Sequence, residues 1–525
     1  MNAMRRRFNV AGPCFPEEHY MLPALDRLPG IRGLVEARQY FVVHAPRQSG
    51  KTTALQALVD EINAGGGRCA IYCTLETLQT ARDVAKAMEA IRGLLLFNAE
   101  NALPEVFAGS ENPSSAREPG VAYAAESLAV RQVLSALCRR AGKPLVVFFD
   151  EADCLSGDVL VSFLRQLRDG YVNRNRIPFP VSIALVGMLD IRDYKAQIRE
   201  DGESLGQTSP FNIISADLML RNFTEGEVGA LYSQHTEETG QVFSPGVLEK
   251  VWEFTRGQPW LVNALARECI DIIHDSDFSA PITVEDVVAA KETIIRRRDT
   301  HVDSLMERLR EPRVRRVVEP ILSGEERTVS ADDPDHRFVL DLGLLREENG
   351  ALVPANRMYA EIIGRYLTRD EQMRIQQAVP QTPWATADGL DMSGLMAAFQ
   401  AFWREHSGSD RTIYDYKEAT PHLTLMAFLQ RVVNGGGRIV REMAAGSKRL
   451  DLYVEYRGRR YAVEVKLKKR FSDASFVQLA EYLDTLGLSE GWMAVFDSDS
   501  STPWSNRLYT RSVRFSGKTI HVVGL

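Results

Sequence analysis

Three groups of residues in this chain have the types and spacing to do chemistry. The first is Gly50-Lys51-Thr52-Thr53, which follows the apolar run 40–43 (YFVV) and precedes the helix-forming stretch ALQALVDEIN. A buried strand, a short loop and a helix start point successive backbone N–H groups and the positive helix end at one place, which suits phosphate oxygens. In such a loop Lys51 reaches the outer phosphates of a nucleotide and the Thr52 hydroxyl ligates Mg²⁺, with Gln48, Ser49 and Thr53 completing the cradle. The pattern GxxxxGK[ST] is broken at its first position, where Ala45 stands, and Pro46-Arg47 make the loop stiffer and more charged.

The second group is LVVFFDEAD at 145–153. An apolar strand ending in Asp150-Glu151 aims the first carboxylate at a metal shell and leaves the second to polarise an attacking water. The third lies far downstream. RLDLYVEY (449–456) and RYAVEVKL (460–467) read as strands joined by the turn Arg457-Gly458-Arg459. Glu464 and Lys466, two apart, leave the same face, and the hairpin brings Asp451 beside them. Carboxylates of this kind bind Mg²⁺ or Mn²⁺, the metal polarises a phosphate and acidifies bound water, and the lysine orients that water. Gln478 stands on the helix that follows. Glu418 is the candidate for an additional metal carboxylate, with Glu442 the alternative. Lys448, Arg449, Arg457, Arg459, Arg460, Lys468, Lys469 and Arg470 offer a phosphate-binding surface around this group.

Several elements must position these residues. The 525 residues are enough for two to four domains. A hydrophobic content of 45% with 25% charged residues is that of an ordinary globular protein. A net charge of −7 gives no overall basic signature, so nucleic-acid contacts would have to come from local patches. No run is long and apolar enough for a transmembrane span, and Arg5–Arg7 is not followed by a signal-peptide core. The six cysteines form no CxxC pair and read as buried free thiols, which predicts a cytoplasmic protein without a membrane partner.

The lead-in 8–39 is expected either to lie across a nucleotide base or to form a structured arm. Residues 68–75 and 181–187 read as further buried strands, with helices around 78–97 and 123–141. Two strand–helix units between the loop lysine and Asp150 predict an extra central strand. Helical periodicity over 222–241 and 245–274 predicts an all-helical segment, and the basic triplet Arg296-Arg297-Arg298 a solvated face. His301 is a candidate nucleotide contact or a packed histidine. Residues 313–368 read helix, helix, hairpin at Asn349-Gly350, helix, the order of a winged helix.

HAPRQSGKTT, FFDEAD, LVGMLDIRDYK and TRGQPWLVNALA together resemble the STAND branch of AAA⁺ ATPases, over residues 8–370. The resemblance implies ATP as ligand and a helical lid placed by Gly257-Gln258-Pro259, with Pro259 over the nucleotide. It also implies a γ-phosphate sensor, for which Arg192 is nearest, acting in cis or toward a neighbouring copy in a homo-oligomer. No sensor-2 arginine is recognisable, which favours a switch over a motor ring. In that branch the winged helix packs on the ATPase and helps hold the off state. Asp451…Glu464-Val465-Lys466 with Gln478-Leu479-Ala480-Glu481-Tyr482 resembles the PD-(D/E)XK nucleases, although Leu450 replaces the usual proline.

The expected fold is therefore α/β, in five parts. These are a P-loop ATPase core with parallel sheet (1–215), a helical lid (216–298) and a winged helix (299–375), then a linker (376–409) and a restriction-endonuclease-like α/β domain (410–525). The expected function is an ATP-controlled, metal-dependent DNA endonuclease, an architecture suited to defence against phage or mobile elements. The alternative is a signalling scaffold or DNA-binding regulator whose C-terminal domain holds nucleic acid without cutting it. The protein trigger is not legible.

Overall fold

The apolar run after residue 39 becomes β1 (Tyr40–His44), every residue of it buried. Tyr40 and Val42 face one core and Phe41 and Val43 the other, the alternation of a strand covered on both sides. The loop behind it feeds α1 (Lys51–Ala64). There follow β2 (Cys69–Thr74), α2 (Val84–Ala102), α3 (Ala129–Ala141), β3 (Leu145–Asp150), α4 (Gly157–Asn173), β4 (Ser182–Gly187) and β5 (Ile214–Met219). The five strands form a parallel sheet in the order β2-β3-β4-β1-β5. The computed structural model describes residues 5–107, 128–188, 210–322, 328–330, 333–367, 384–386, 389–406, 424–429, 437–445, 448–468, 471–497 and 502–525.

The extra central strand is there, but it arises differently from the expectation. Among the described residues one strand, β2, lies between α1 and β3, not two strand–helix units. Residues 129–141 bury Val130, Val133, Leu134 and Leu137 at helical spacing and contribute only α3. The inserted strand is β4, which follows β3 in the chain and lies between β3 and β1 in the sheet.

A helical segment comes next, with α5 (Glu225–Thr239), α6 (Val247–Thr255), α7 (Pro259–Arg267), α8 (Val284–Arg297) and α9 (Thr300–Arg308). Thr224 and Glu227 close a capping box on α5, and Pro259 occupies the first turn of α7, where its missing N–H costs nothing. Arg298 takes a left-handed conformation (φ 54°) and separates α8 from α9. The basic triplet there is not simply a solvated face. Arg297 pairs with Asp299 at 2.6 Å and with the buried Glu268 at 2.8 Å. Then come α10 (Pro312–Leu322), α11 (Pro334–Asp341), a hairpin of β6 (Leu345–Glu348) and β7 (Ala351–Pro354), and α12 (Arg357–Leu367). Asn349 and Gly350, both with positive φ, make the hairpin turn.

After α13 (Met392–His406) the chain builds a six-stranded sheet from β8 (Gly437–Ala445), β9 (Lys448–Tyr456) and β10 (Arg459–Leu467). Helix α14 (Asp473–Thr485) follows, then β11 (Glu490–Phe496), β12 (Tyr509–Phe515) and β13 (Lys518–Gly524). The strand order is β8-β9-β10-β11-β13-β12, antiparallel over β8–β10 and parallel across β10, β11 and β13. Leu452, Val454 and Val463 enter the core shared with α13. Tyr453 and Ala462 enter the other, with Phe476, Leu479 and Tyr482 of α14.

The chain divides into two compact units. One comprises Met1–Leu305, Ser330–Arg346 and Pro354–Tyr359, the other Met306–Val329, Glu347–Val353 and Ala360–Leu525. No helix among the described residues is long and apolar enough to cross a membrane.

Candidate functional sites

The loop between β1 and α1 is built around a left-handed Gly50 (φ 91°) that opens the helix. Ala45, the departure from the glycine pattern, is fully buried, and its N–H donates to the Gly187 carbonyl at 3.2 Å. Lys51 Nζ donates to the carbonyl oxygens of Ala45 (2.8 Å) and Pro46 (3.1 Å), spanning the loop it belongs to. Burial holds the Lys51 ammonium below its ordinary pKa, while the carboxylates of Glu151, Asp150 and Asp153 pull the other way.

Asp150 ends β3 and is almost fully buried. Three donors hold it. Thr52 Oγ1 (2.9 Å) and the Tyr72 hydroxyl (2.8 Å) meet Oδ2, and the Glu151 N–H (3.0 Å) meets Oδ1. Tyr72 comes from β2, one strand over, two residues before Thr74, the register partner of Asp150. Glu151 turns the chain in a left-handed conformation (φ 53°), and burial, followed by the neighbouring Asp153, raises its carboxyl pKa. Asp153 accepts from the Met188 N–H (3.1 Å), fastening the end of β4 to the loop after β3.

The lead-in does form a structured arm. The Cys14 N–H donates to Thr53 Oγ1 (3.1 Å), and the Val10 carbonyl accepts from the Trp260 indole on α7 (2.8 Å). The arm thus touches both the start of α1 and the helix that begins at Pro259. Gly257 is required where it stands. Its φ is 74°, and a Cβ there would come within 2.0 Å of the Phe223 carbonyl. Gln258 caps α7 through its Oε1 (2.6 Å to the Leu261 N–H). His301 does not face the loop as a nucleotide contact. Its ring stacks on Trp260 and its Nε2 meets the Tyr359 hydroxyl at 2.6 Å, and burial pushes its pKa down to about 4. Arg192 lies outside the described residues.

The end of α11 sits directly on the loop. A Cβ on Gly343 would lie 2.4 Å from Pro46 Cγ, and His44 stands between Asp217 (3.5 Å) and Asp341 (3.6 Å).

Sequence reasoning missed Tyr72, Asp153 and Arg27. Arg27 is a buried arginine of the lead-in whose Nη2 donates to the Ser49 carbonyl at 2.6 Å. Tyr72 lies in an apolar strand, Arg27 follows Asp26 in a Leu/Pro-rich stretch, and Asp153 is the third carboxylate of Asp150-Glu151-Ala152-Asp153. For Tyr72 and Arg27 the available signal was a buried-strand or Leu/Pro-rich context holding a long polar side chain.

Residues 35–194 match the family of AAA domains. They form an α/β P-loop ATPase domain with a parallel sheet. Solved structures similar to this chain include a Walker-type ATPase of Pyrococcus abyssi (15% identity, 68% of this chain and 99% of that one, TM-score 0.48). The Thermotoga maritima RuvB Holliday junction branch migration motor is another (13% identity, 65% and 98%, TM-score 0.34). A third is the Aeropyrum pernix ORC1 protein in complex with DNA (13% identity, 66% and 94%, TM-score 0.31). No curated protein matches the chain.

The AAA domain fits a nucleotide and its cation. Ser49 Oγ and Asp153 Oδ1 are buried beside the loop without a hydrogen-bond partner among the described residues, and the Thr52–Asp150 pair presents oxygen to a metal.

The second candidate site lies on the hairpin β9–β10. Glu464 is completely buried on the α14 face, and its Oε1 accepts from Lys466 Nζ at 2.6 Å. Asp451 stands opposite. Its Oδ2 accepts from the Val465 N–H (2.8 Å), and its own N–H points at Glu464 Oε2 (3.4 Å). Burial, with the Asp451 carboxylate next, pushes the Glu464 pKa up to about 7. Burial works against the Lys466 charge, but the charge and hydrogen bond of Glu464 together with Asp451 and Tyr482 outweigh it and the lysine pKa is raised. Gln478 Nε2 donates to the Tyr482 hydroxyl (3.0 Å), and that tyrosine feels both carboxylates and the lysine.

The structure thus brings Asp451, Glu464 and Lys466 together, with α14 carrying Gln478 over the same face. Glu418 lies outside the described residues. Glu442 lies on β8 between Arg441 and Met443, which pair with Leu452 and Leu450, so it stands at the level of Asp451. Among the described residues no group of three or more His, Cys, Asp or Glu gathers in a metal-binding arrangement. Among the described side chains the predicted basic residues lie at two places; Lys469 and Arg470 lie outside the described residues. Arg457, Arg459 and Arg460 are exposed at the hairpin turn, about six residues and ~20 Å of strand away from Asp451. Lys468 is at the carboxylate end but pairs with Asp497 at 2.7 Å.

Proposed function

We propose that this chain is an ATP-binding and ATP-hydrolysing switch that controls a metal-dependent DNA endonuclease. The observation that carries the reading is the Asp451–Glu464–Lys466 cluster in a chain that also contains an AAA domain. A lone acidic–basic cluster on a strand is common, but a fully buried Glu464 beside the half-buried Asp451, with one lysine bonded to the glutamate, is costly to keep without a cation.

In the AAA domain the loop amides, Gln48, Ser49 and Lys51 hold the phosphates of ATP, and Thr52 and Asp150 hold Mg²⁺, which offsets phosphate charge. Glu151, raised in pKa and next to Asp150, accepts a proton from the attacking water. Gly257-Gln258-Pro259 places the helical segment as a lid on the nucleotide. The elements α10–α12 with their hairpin act as a winged helix. Its segment at α11 and Gly343 rests on Pro46, a contact that supports a role in holding the resting state.

At the hairpin, Asp451 and Glu464, joined by Glu418 or Glu442, hold Mg²⁺ (Mn²⁺ as an alternative). The cation supplies Lewis acidity toward a phosphodiester and toward water. Lys466 donates to Glu464, opposes the rise in that carboxyl's pKa and places the water, and Gln478 fixes Tyr482 beside it. Such a pairing of switch and nuclease suits defence against phage or mobile elements.

The test is a paired one on the full chain. Wild type should bind ATP, and Lys51→Ala should bind it at least about tenfold more weakly, the loss of a charge-assisted contact. Wild type should cut DNA with Mg²⁺, and Glu464→Ala should not. ATP binding without any cleavage by wild type, in every metal and nucleotide state, replaces the nuclease with a nucleic-acid-holding scaffold. Loss of neither activity in the variants removes both assignments.

A further inference from the structure

Arg27 sits at the end of a short helical turn (Ala24–Arg27) in the N-terminal lead-in, far from any surface role. Its guanidinium makes three distinct contacts. Nη2 donates to the Ser49 carbonyl at 2.6 Å, Nε donates to the Arg221 carbonyl at 2.8 Å, and the plane lies over the Phe223 ring at 4.7 Å. The Arg221 N–H returns a bond to the Arg27 carbonyl (3.3 Å). Burying a charged guanidinium is costly unless it has good partners, and Nε and Nη2 each have one.

The geometry at Ser49 has a consequence for the loop. A trans peptide is planar, so its carbonyl and its N–H point in opposite directions. With the Ser49 oxygen held by Arg27, the Gly50 N–H is turned away from Arg27. A Cβ on Gly50 would lie 3.2 Å from Arg27 Nη1, so the guanidinium also closes the back of the peptide. The other end of the contact leads to the helical segment. The Phe223 N–H donates to the Gly257 carbonyl (2.9 Å), and Gly257 approaches the Phe223 carbonyl too closely for any Cβ. Gly257 is followed by Gln258, which caps α7, and by Pro259 in its first turn.

We infer that Arg27 is a positioning residue that aims the Gly50 amide at bound phosphate and links that peptide, through Phe223, to the helical segment at Gly257. The inference rests on the reading of this loop as an ATP site. Arg27 touches neither the phosphates nor the metal. It acts through the Ser49–Gly50 peptide on one side and the Phe223–Gly257 contact on the other, so phosphate binding and the helical segment share one rigid side chain.

The experiment compares wild type, Arg27→Lys and Phe223→Leu as full chains. It reads displacement of a fluorescent ATP analogue by Mg–ATP, and tryptic cleavage at the exposed Arg256 with and without Mg–ATP. Lysine keeps the charge but cannot satisfy two carbonyls and a ring together. Arg27→Lys should bind ATP about tenfold more weakly, one well-aimed charged contact, and should lose nucleotide protection at Arg256. Phe223→Leu leaves the Ser49 contact in place, so its affinity should stay within about twofold while protection is lost. A merely structural arginine would lower the melting temperature without separating affinity from protection in this way. Wild-type affinity and protection in Arg27→Lys overturn the inference, as does intact protection in Phe223→Leu should the arginine variant fail to fold. Wild type that binds no ATP at all refutes the underlying ATP reading instead.

Discussion

Two buried carboxylates, Asp150 at the end of β3 in a parallel sheet and Glu464 within β10 of an antiparallel hairpin, are held in opposite ways. Asp150 accepts from a threonine, a tyrosine and a backbone amide, so its hydrogen-bonding capacity is met by neutral donors before any cation arrives. Glu464, fully buried, meets one lysine and faces a second carboxylate, and its pKa rises to about 7. The first arrangement is pre-set by a hydrogen-bond network. The second is electrostatically unbalanced and leaves room for added positive charge. On the proposed reading, a cation at the first site would exchange partners with Thr52, whereas one at the second would relieve the repulsion between Glu464 and Asp451. The two sites should therefore respond differently to mutation, pH and metal.

The largest effect expected is on hydrolysis at the first site. Glu151→Gln keeps the shape but loses the proton acceptor, and ATP turnover should fall by about 10²–10⁴-fold with ATP affinity retained. Turnover near wild type would move the base elsewhere. At the second site, Asp451→Ala and Glu464→Ala should each reduce DNA cleavage by at least about a hundredfold, and the double variant should be scarcely worse, because the carboxylates act as one unit. Additive losses in the double variant would argue for independent roles.

The pH response sharpens the contrast. An unfolded Glu464 releases its proton near the ordinary glutamate value, but the folded one keeps it up to about pH 7. Between those values the folded state binds the extra proton, so this group's contribution to stability is present at low pH and lost as pH rises through about 7. Thermal melts from pH 5 to 8 should show that loss in wild type, smaller in Glu464→Gln, and reduced by Mg²⁺. Metal affinity at the hairpin should rise over the same interval. A melting profile identical in wild type and Glu464→Gln would contradict the buried-conflict picture. The smallest effect concerns the lid. Pro259→Ala removes only a favourable first-turn residue of α7, so ATP affinity should change by no more than a few fold while tryptic protection at Arg256 weakens. Unchanged protection would separate α7 from the nucleotide.

Much of this was legible in sequence because apolar patterning is local. The runs at 40–43 and 145–149 have no polar interruption and that at 181–187 only Ser182, and they became β1, β3 and β4 with every residue buried. The hairpin β9–β10 followed from two alternating runs around Arg457-Gly458, whose positive φ values the turn demands. What escaped was contact at long range. The insertion of β4 between β3 and β1 depends on strand order, which periodicity does not encode. The burial of His301 between Trp260 and Tyr359 joins residues about forty and sixty positions apart, and a lone histidine carries no sign of either partner. Tyr72 matters through one hydrogen bond and Arg27 through two and a ring contact, all to groups on other elements. The division of the basic residues between the two ends of the hairpin appeared only once the register was known.

The central claim is that nucleotide at the AAA domain governs cleavage at the hairpin. It is tested most directly by incubating supercoiled plasmid with the full chain and Mg²⁺, with and without ATP, alongside Lys51→Ala and Glu464→Gln. The account predicts nicking by wild type that changes with ATP, nicking by Lys51→Ala that no longer responds to ATP, and none by Glu464→Gln. Nicking that persists in Glu464→Gln, or that is the same in wild type with and without ATP, contradicts it.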